Sequence, residues 1–127
     1  MCGIAGFYST KEHADPAILK NMLDTISYRG PNSKTGVVEG GVALGNVRLS
    51  IVDIKGGVQP AFTSNRQVIV VFNGEIFNYQ ILRDELRFRG VDFETGSEVE
   101  TLLQLYLVHG QCFVEKIKGQ FAIAIWD

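Results

Sequence analysis

Cys2 is the residue whose type and position are best suited to chemistry. Its side chain is small enough for a preceding initiator methionine to be removed. Removal would leave one residue carrying both a thiol and a free α-amine. Thiols ordinarily titrate near about 8.5 and α-amines near about 7.7–8.0. Close to neutral pH such an amine can be uncharged and take the thiol's proton, directly or through a water, so nucleophile and base share one residue. The competing reading is a buried free cysteine in a run of small residues. With only Cys2 and Cys112 in the chain, a disulfide framework is excluded.

Three further groups have types that would serve such a nucleophile. Asn73-Gly74-Glu75 follows an apolar run and reads as a turn. The Asn73 side-chain amide and the Gly74 N–H are two donors of the kind that hold a developing oxyanion, against the plain alternative of an Asn-Gly turn. Arg48 lies among apolar and small residues in Asn46-Val47-Arg48-Leu49-Ser50-Ile51-Val52. It is either paired with a carboxylate, which its planar fork grips at two points, or an ordinary surface arginine. Glu98 opens a helix, where the dipole alone favours a carboxylate. Arg48 and Glu98 together would suit the α-carboxylate and α-ammonium of an amino acid. His13 and His109 lack metal-ligand spacing, and the chain has neither a Walker A loop nor a dinucleotide fingerprint.

The elements that must position these groups are legible in outline. The small-residue run Gly3-Ile4-Ala5-Gly6-Phe7-Tyr8 reads as a buried strand. Asp15-Pro16 starts a helix over about 16–27 with Ile18, Leu19, Met22, Leu23 and Ile26 on one face, and Arg29-Gly30-Pro31-Asn32 closes it in a turn. Residues 35–52 read as strands around the hairpin signal Glu39-Gly40-Gly41, and 53–66 as a loop. Residues 67–72 form a strand apolar on both faces. Asn78 caps a helix over about 79–89, ended by Gly90. Ser97 and Glu100 match a capping box at the start of a third helix, and a short helix is expected over 112–117. Phe121-Ala122-Ile123-Ala124-Ile125-Trp126 reads as a core strand with nothing after it to pair with, so its edge is expected to be covered by the sheet or another chain, or the chain to be incomplete. Strands and helices mix without strict βαβ alternation, which favours a layered α+β fold over a doubly wound one.

The chain has 127 residues, enough for one domain with one core. A formal net charge of −2 provides no basic footprint for nucleic acid or an anionic membrane surface. No apolar run approaches the roughly 18 residues of a spanning helix, and the N-terminus lacks the pattern of a signal peptide. These features, with two free cysteines, set a reducing, cytoplasmic location as the expectation.

Taken in order, Met1-Cys2-Gly3-Ile4-Ala5-Gly6, Arg29-Gly30-Pro31, Arg48-Leu49-Ser50-Ile51-Val52-Asp53, 57–60, Asn73-Gly74-Glu75-Ile76-Phe77-Asn78, 95–100 and 119–127 resemble class II (N-terminal nucleophile) glutamine amidotransferases, and most of all the amidotransferase domain of asparagine synthetases. The resemblance implies a four-layer αββα sandwich of antiparallel sheets, with residues 1–127 as an amidotransferase domain truncated at its C-terminal end and the synthetase domain absent. It implies that Cys2 is the nucleophile and that Asn73 and Gly74 form the oxyanion hole. Arg48 would hold the glutamine α-carboxylate, helped by main-chain groups near Ile51 and Val52, while Glu75, through its backbone, and Glu98 would bind the α-amine. The implied partners are L-glutamine and an ammonia-accepting synthetase domain or subunit, with a homodimer left open. No cofactor is expected in this chain, since ATP and Mg belong to the synthetase domain. Four positions depart from the family pattern: Asn32 and Glu98 stand where Asp is usual, Asn46 where His is common, and Gln120 where Met is usual. The resemblance also leaves open a catalytically inert relative that acts as a binding module.

Overall fold

Alternating burial along two strands organises the molecule. The structure, a computed structural model, describes residues 2–49 and 57–127. Strands β1 (Gly3–Tyr8), β2 (Ser33–Glu39) and β3 (Val42–Arg48) form one antiparallel sheet in the order β1-β3-β2. Strands β4 (Ala61–Phe62), β5 (Ile69–Ile76) and β6 (Gly119–Trp126) form a second, in the order β4-β5-β6. Along β3, Val42 and Leu44 meet Ile69 and Val71 of β5 between the sheets, whereas Ala43 and Val47 pack under helix α1 (Pro16–Thr25) with Leu19 and Leu23. Along β5, Val70, Phe72 and Ile76 turn the other way, onto helices α2 (Tyr79–Phe88) and α3 (Glu98–His109). Side chains that alternate with period two on strands buried on both faces therefore produce helix, sheet, sheet, helix. This is the expected α+β sandwich, with three α-helices among the described residues.

The local signals mostly act as their chemistry requires. Asp15 accepts from the Ala17 N–H at 2.8 Å ahead of Pro16. The β2–β3 hairpin turns at Gly40-Gly41, with Glu39 opposite Val42. Helix α1 ends at Thr25 and passes into a 3-10 turn, Ser27–Arg29. A second 3-10 segment, Gly110–Lys116, takes the place expected for a short helix. Ser97 accepts from the Glu100 N–H at 3.3 Å, which is half of the capping box. The Glu100 carboxylate turns instead to the Glu94 and Thr95 N–H groups, at 2.7 and 2.8 Å. Asn78 precedes α2 without capping it. Its amide donates to the Lys116 carbonyl at 3.0 Å and accepts from the Lys118 N–H at 2.9 Å, tying the helix start to the start of β6.

Two expectations are corrected. Asn73-Gly74-Glu75 is not a turn. It lies inside β5, opposite Ala122, Phe121 and Gln120 of β6. Gly74 makes this possible: its φ of 149° is a conformation that residues with a Cβ rarely adopt, and a Cβ there would come 2.1 Å from the Gln120 carbonyl oxygen. The segment read as loop over 53–66 also contributes β4 to the second sheet. The apolar final strand β6 pairs with β5 along its full length.

Candidate active site

Strand parity and register gather most of the candidate groups. Ile4 of β1 faces the second sheet, and Gly3 pairs with Val47. Carrying that antiparallel register one residue further sets Cys2 opposite Arg48, where neighbouring strands are about 4.5–5.5 Å apart. Arg48 shares its parity on β3 with Val42, Leu44 and Asn46, so it too belongs to the inter-sheet side, and Asn73 has the parity of Ile69 and Val71 on the facing sheet. Cys2 is half-buried. The Arg29 Nε donates to its carbonyl at 3.1 Å. The same turn continues through Pro31, which bridges to Arg48, and Asn32, whose N–H donates to the Arg48 carbonyl at 3.0 Å. The Arg29-Gly30-Pro31-Asn32 turn thus fastens the Cys2 backbone on one side and the Arg48 backbone on the other.

Arg48 lines a cavity of about 410 Å³ together with Asn32, Ser33, Thr35, Asn46, Val58 and Gln59; Cys2 is not among its lining residues. Gly57 lies against the arginine: a Cβ there would come 2.6 Å from Nη2. Asn46 is buried, and its side-chain amide donates to the Gly3 carbonyl at 3.2 Å and to the Phe72 carbonyl at 3.3 Å. One amide therefore spans the two sheets, and it links the strand that follows Cys2 to the residue that precedes Asn73.

The edge of β5 that turns away from β6 carries the remaining groups. The Phe72 N–H donates to Gln59 Oε1 at 2.6 Å and the Ile76 N–H to Glu98 Oε1 at 2.7 Å. Backbone groups two residues apart on a strand point to the same edge, so the Gly74 N–H lies between these two on that edge. Burial pushes the Glu98 carboxyl above its ordinary value; nearby Glu75 adds to the rise and the Ile76 N–H opposes it. Glu75 itself is exposed.

Cys2, Arg48 and Asn73 are thus brought to one inter-sheet region, and Gly74 and Glu98 to the adjoining strand edge. Glu98 meets that edge at Ile76 and is not among the residues lining the Arg48 cavity. Ile51 and Val52 lie outside the described residues. Among the described residues, no group of three His, Cys, Asp or Glu side chains is arranged to hold a metal ion, and no helix is long and apolar enough to cross a membrane.

This arrangement can be compared with known proteins. Residues 1–127 match the glutamine amidotransferase domain family. The chain belongs to that family, in its class II. An asparagine synthetase (glutamine-hydrolysing) of Bacillus subtilis is 38% identical over the whole chain, which covers 21% of that protein. Asparagine synthetase B of Escherichia coli is 35% identical, again over the whole chain and 23% of its own length. The chain therefore spans about a fifth of the length of these curated relatives. A solved structure of the glutamine phosphoribosylpyrophosphate amidotransferase from B. subtilis superposes with a TM-score of 0.78 at 20% identity, covering 96% of this chain and 34% of that one. At that identity it establishes the fold.

Three residues that sequence reasoning left without a role shape the candidate site. Arg29 was legible only as part of a motif. Gln59 sits in a Gly- and Pro-rich stretch with no periodicity to mark it. Arg83 is buried in α2 and clamps the segment leading into Glu98, donating to the carbonyls of Thr95 and Ser97 at 2.5 and 3.3 Å and to the Thr101 hydroxyl at 3.1 Å. Its guanidinium also stacks on Phe93, 3.8 Å from the ring centroid. Arg83 falls beside Leu82 and Leu86 on an amphipathic helix, where nothing in the local pattern marks an arginine for burial.

Proposed function

We propose that this amidotransferase domain performs the glutamine-hydrolysing half-reaction of an asparagine-synthetase-like enzyme and releases ammonia for an acceptor such as aspartate. The reading is supported by the β1–β3 register, in which Gly3 pairs with Val47, so that continuing it by one residue directs Cys2 towards Arg48, and by the parity of Asn73 with Ile69 and Val71 on the facing strand. With Met1 removed, the Cys2 α-amine takes the thiol proton as Sγ attacks the carbon of the glutamine side-chain amide. The resulting oxyanion receives two donors, the Asn73 side-chain amide and the Gly74 N–H. Collapse breaks the C–N bond, ammonia leaves with the proton returned from the α-amine, and a γ-glutamyl thioester remains on Cys2. Attack by water gives glutamate and restores the thiol. Arg48 holds the α-carboxylate at two points, with main-chain groups near Ile51 and Val52 assisting. The Glu75 backbone and the second oxygen of Glu98 receive the α-ammonium. The names of the asparagine synthetase relatives support this choice of reaction.

The test is covalent trapping. A glutamine analogue bearing an electrophile at the side-chain position should add one equivalent of mass at Cys2 of the Met-processed protein, and none to Cys2→Ala. A folded, Met-processed protein that resists the reagent would overturn the assignment in favour of an inert binding module.

A further inference from the structure

Strand β4 is two residues long, and beyond Val70 no strand among the described residues pairs with this edge of β5 next to the proposed site. Ala61 pairs with Val70. If the ladder continued backwards in that register, residue 59 would face Phe72 with its backbone. It does not do so; Gln59 reaches Phe72 with its side chain instead. The Phe72 N–H donates to Gln59 Oε1 at 2.6 Å, and the Phe72 carbonyl accepts from the Asn46 amide at 3.3 Å. The two amides therefore satisfy both main-chain groups of one residue, as a neighbouring strand would. Both are buried, at 8% and 1% exposure. Each is also fastened to the first sheet: the Gln59 carbonyl accepts from the Thr35 hydroxyl at 2.5 Å, and Asn46 donates to Gly3 at 3.2 Å.

We infer that Asn46 and Gln59 are positioning residues which replace a missing strand at Phe72 and so fix the Asn73-Gly74 edge against the strand carrying Cys2. This rests on the reaction proposed above and adds two groups to its machinery without giving them contact with the reacting atoms. The chemistry is asymmetric. A carbonyl only accepts and an N–H only donates, so Asn46 must present its NH₂ and Gln59 its oxygen. Isosteric acidic replacements should therefore differ sharply. Gln59→Glu keeps an acceptor for the Phe72 N–H. Asn46→Asp removes the donor and sets a carboxylate against two carbonyls. Asn46→His supplies at most one N–H where two are used, so it should lie between Asn46→Asp and the parent.

Two measurements test the inference. The first, amide hydrogen exchange, is independent of activity. Asn46→Asp should raise exchange at the Phe72 amide at least tenfold while the α1 amides stay protected, and Gln59→Glu should change it less than threefold. The second separates the trapping reaction into affinity for the electrophilic glutamine analogue and maximal labelling rate at Cys2. Asn46→Asp should lower the rate by 10- to 100-fold, and Gln59→Glu, which keeps the acceptor for the Phe72 N–H, should lower it several-fold less than Asn46→Asp does. If Asn46→Asp does not fold, Asn46→His and Gln59→Met carry the same test, each with a several-fold loss in rate and increased Phe72 exchange. Unchanged exchange at Phe72 in these variants, or equal effects of Asn46→Asp and Gln59→Glu, would overturn the positioning role. A loss confined to affinity would also overturn it, because it would place Asn46 on the ligand. Absence of labelling in the parent protein would instead count against the proposed reaction, and the exchange data would still decide the inference.

Discussion

Gly74→Ala should damage the domain far more than its small change in volume implies. Two costs combine. The first is conformational: a residue with a Cβ held at φ 149° sits in a region that costs on the order of 1–3 kcal/mol. The second is steric, because the new Cβ would come 2.1 Å from the Gln120 carbonyl oxygen and 2.7 Å from the Phe121 Cα. Both obstacles are backbone atoms of β6, which cannot rotate away, so either β6 retreats or the β5–β6 pairing opens locally. Together these give about 2–5 kcal/mol, a large part of the roughly 5–15 kcal/mol that holds an ordinary domain together. For a domain of this size, about 3–5 °C per kcal/mol places the fall in melting temperature on the order of 10 °C. Gly96→Ala is the internal control: a Cβ there meets nothing within 4 Å and its φ is not in the left-handed region, so it should be neutral or slightly stabilising. Thermal unfolding of both variants by circular dichroism decides the matter. Equal melting temperatures for Gly74→Ala and Gly96→Ala would refute the argument that Gly74 is required by the close approach of β6.

Two other perturbations follow from the site. Folding raises the Glu98 carboxyl, so the native state keeps that proton to higher pH than the unfolded chain does. Stability from this group is then full at acid pH and declines as pH rises from the ordinary value of 4.5 towards the raised native one. Glu98→Gln should flatten that decline in unfolding free energy. Under the proposed function the glutamine ammonium favours the carboxylate, so KM for glutamine should rise as pH falls through the Glu98 titration, and this dependence should vanish in Glu98→Gln. Arg83→Met removes the donor to the Thr95 carbonyl and the Thr101 hydroxyl, one of three donors to the Ser97 carbonyl, and the stack on Phe93. Denaturant titration should show a loss of about 2–4 kcal/mol, and Arg83→Lys should not restore it, since a lysine lacks the planar fork. A change below about 0.5 kcal/mol in Arg83→Met would show that the clamp contributes nothing.

What the sequence disclosed and what it hid divide along the range of the interactions involved. Helix starts, the Gly40-Gly41 hairpin and the buried strand at 69–72 depend on neighbours a few residues away, and each was legible. The sequence leaves Arg48 between an inward and a surface position; its parity with Val42, Leu44 and Asn46 along β3 puts it on the inward side. Asn73-Gly74-Glu75 was misread because Asn-Gly is the strongest short-range turn signal, and here it is overruled by β6, whose pairing residues lie more than forty positions further along the chain. The capping box was half right for a similar reason. Ser97 serves its own helix, whereas Glu100 is drawn to the Glu94 and Thr95 amides by a segment that Arg83 folds back onto α2. Asn46 and Gln59 were hidden for a stronger reason. Their partners are main-chain atoms, the Gly3 and Phe72 carbonyls for Asn46 and the Phe72 N–H for Gln59, and main-chain partners leave no trace in side-chain patterns.

The candidate site can then be understood as a consequence of an incomplete sheet. A β4 extended backwards in its own register would cover Phe72 first and then Gly74, and the N–H proposed to hold the oxyanion would be spent in a ladder hydrogen bond. The chain leaves that ladder after Ala61 and puts side-chain acceptors only where the exposed edge needs them, Gln59 at Phe72 and Glu98 at Ile76. The amide between them is kept off the ladder to β6 by strand parity and off β4 by its length. Stability of the edge and availability of its central donor are opposing demands, since every buried N–H tends to be paired. Filling the two flanking positions with side chains resolves the conflict, because it holds the edge in place on both sides of Gly74 without covering it.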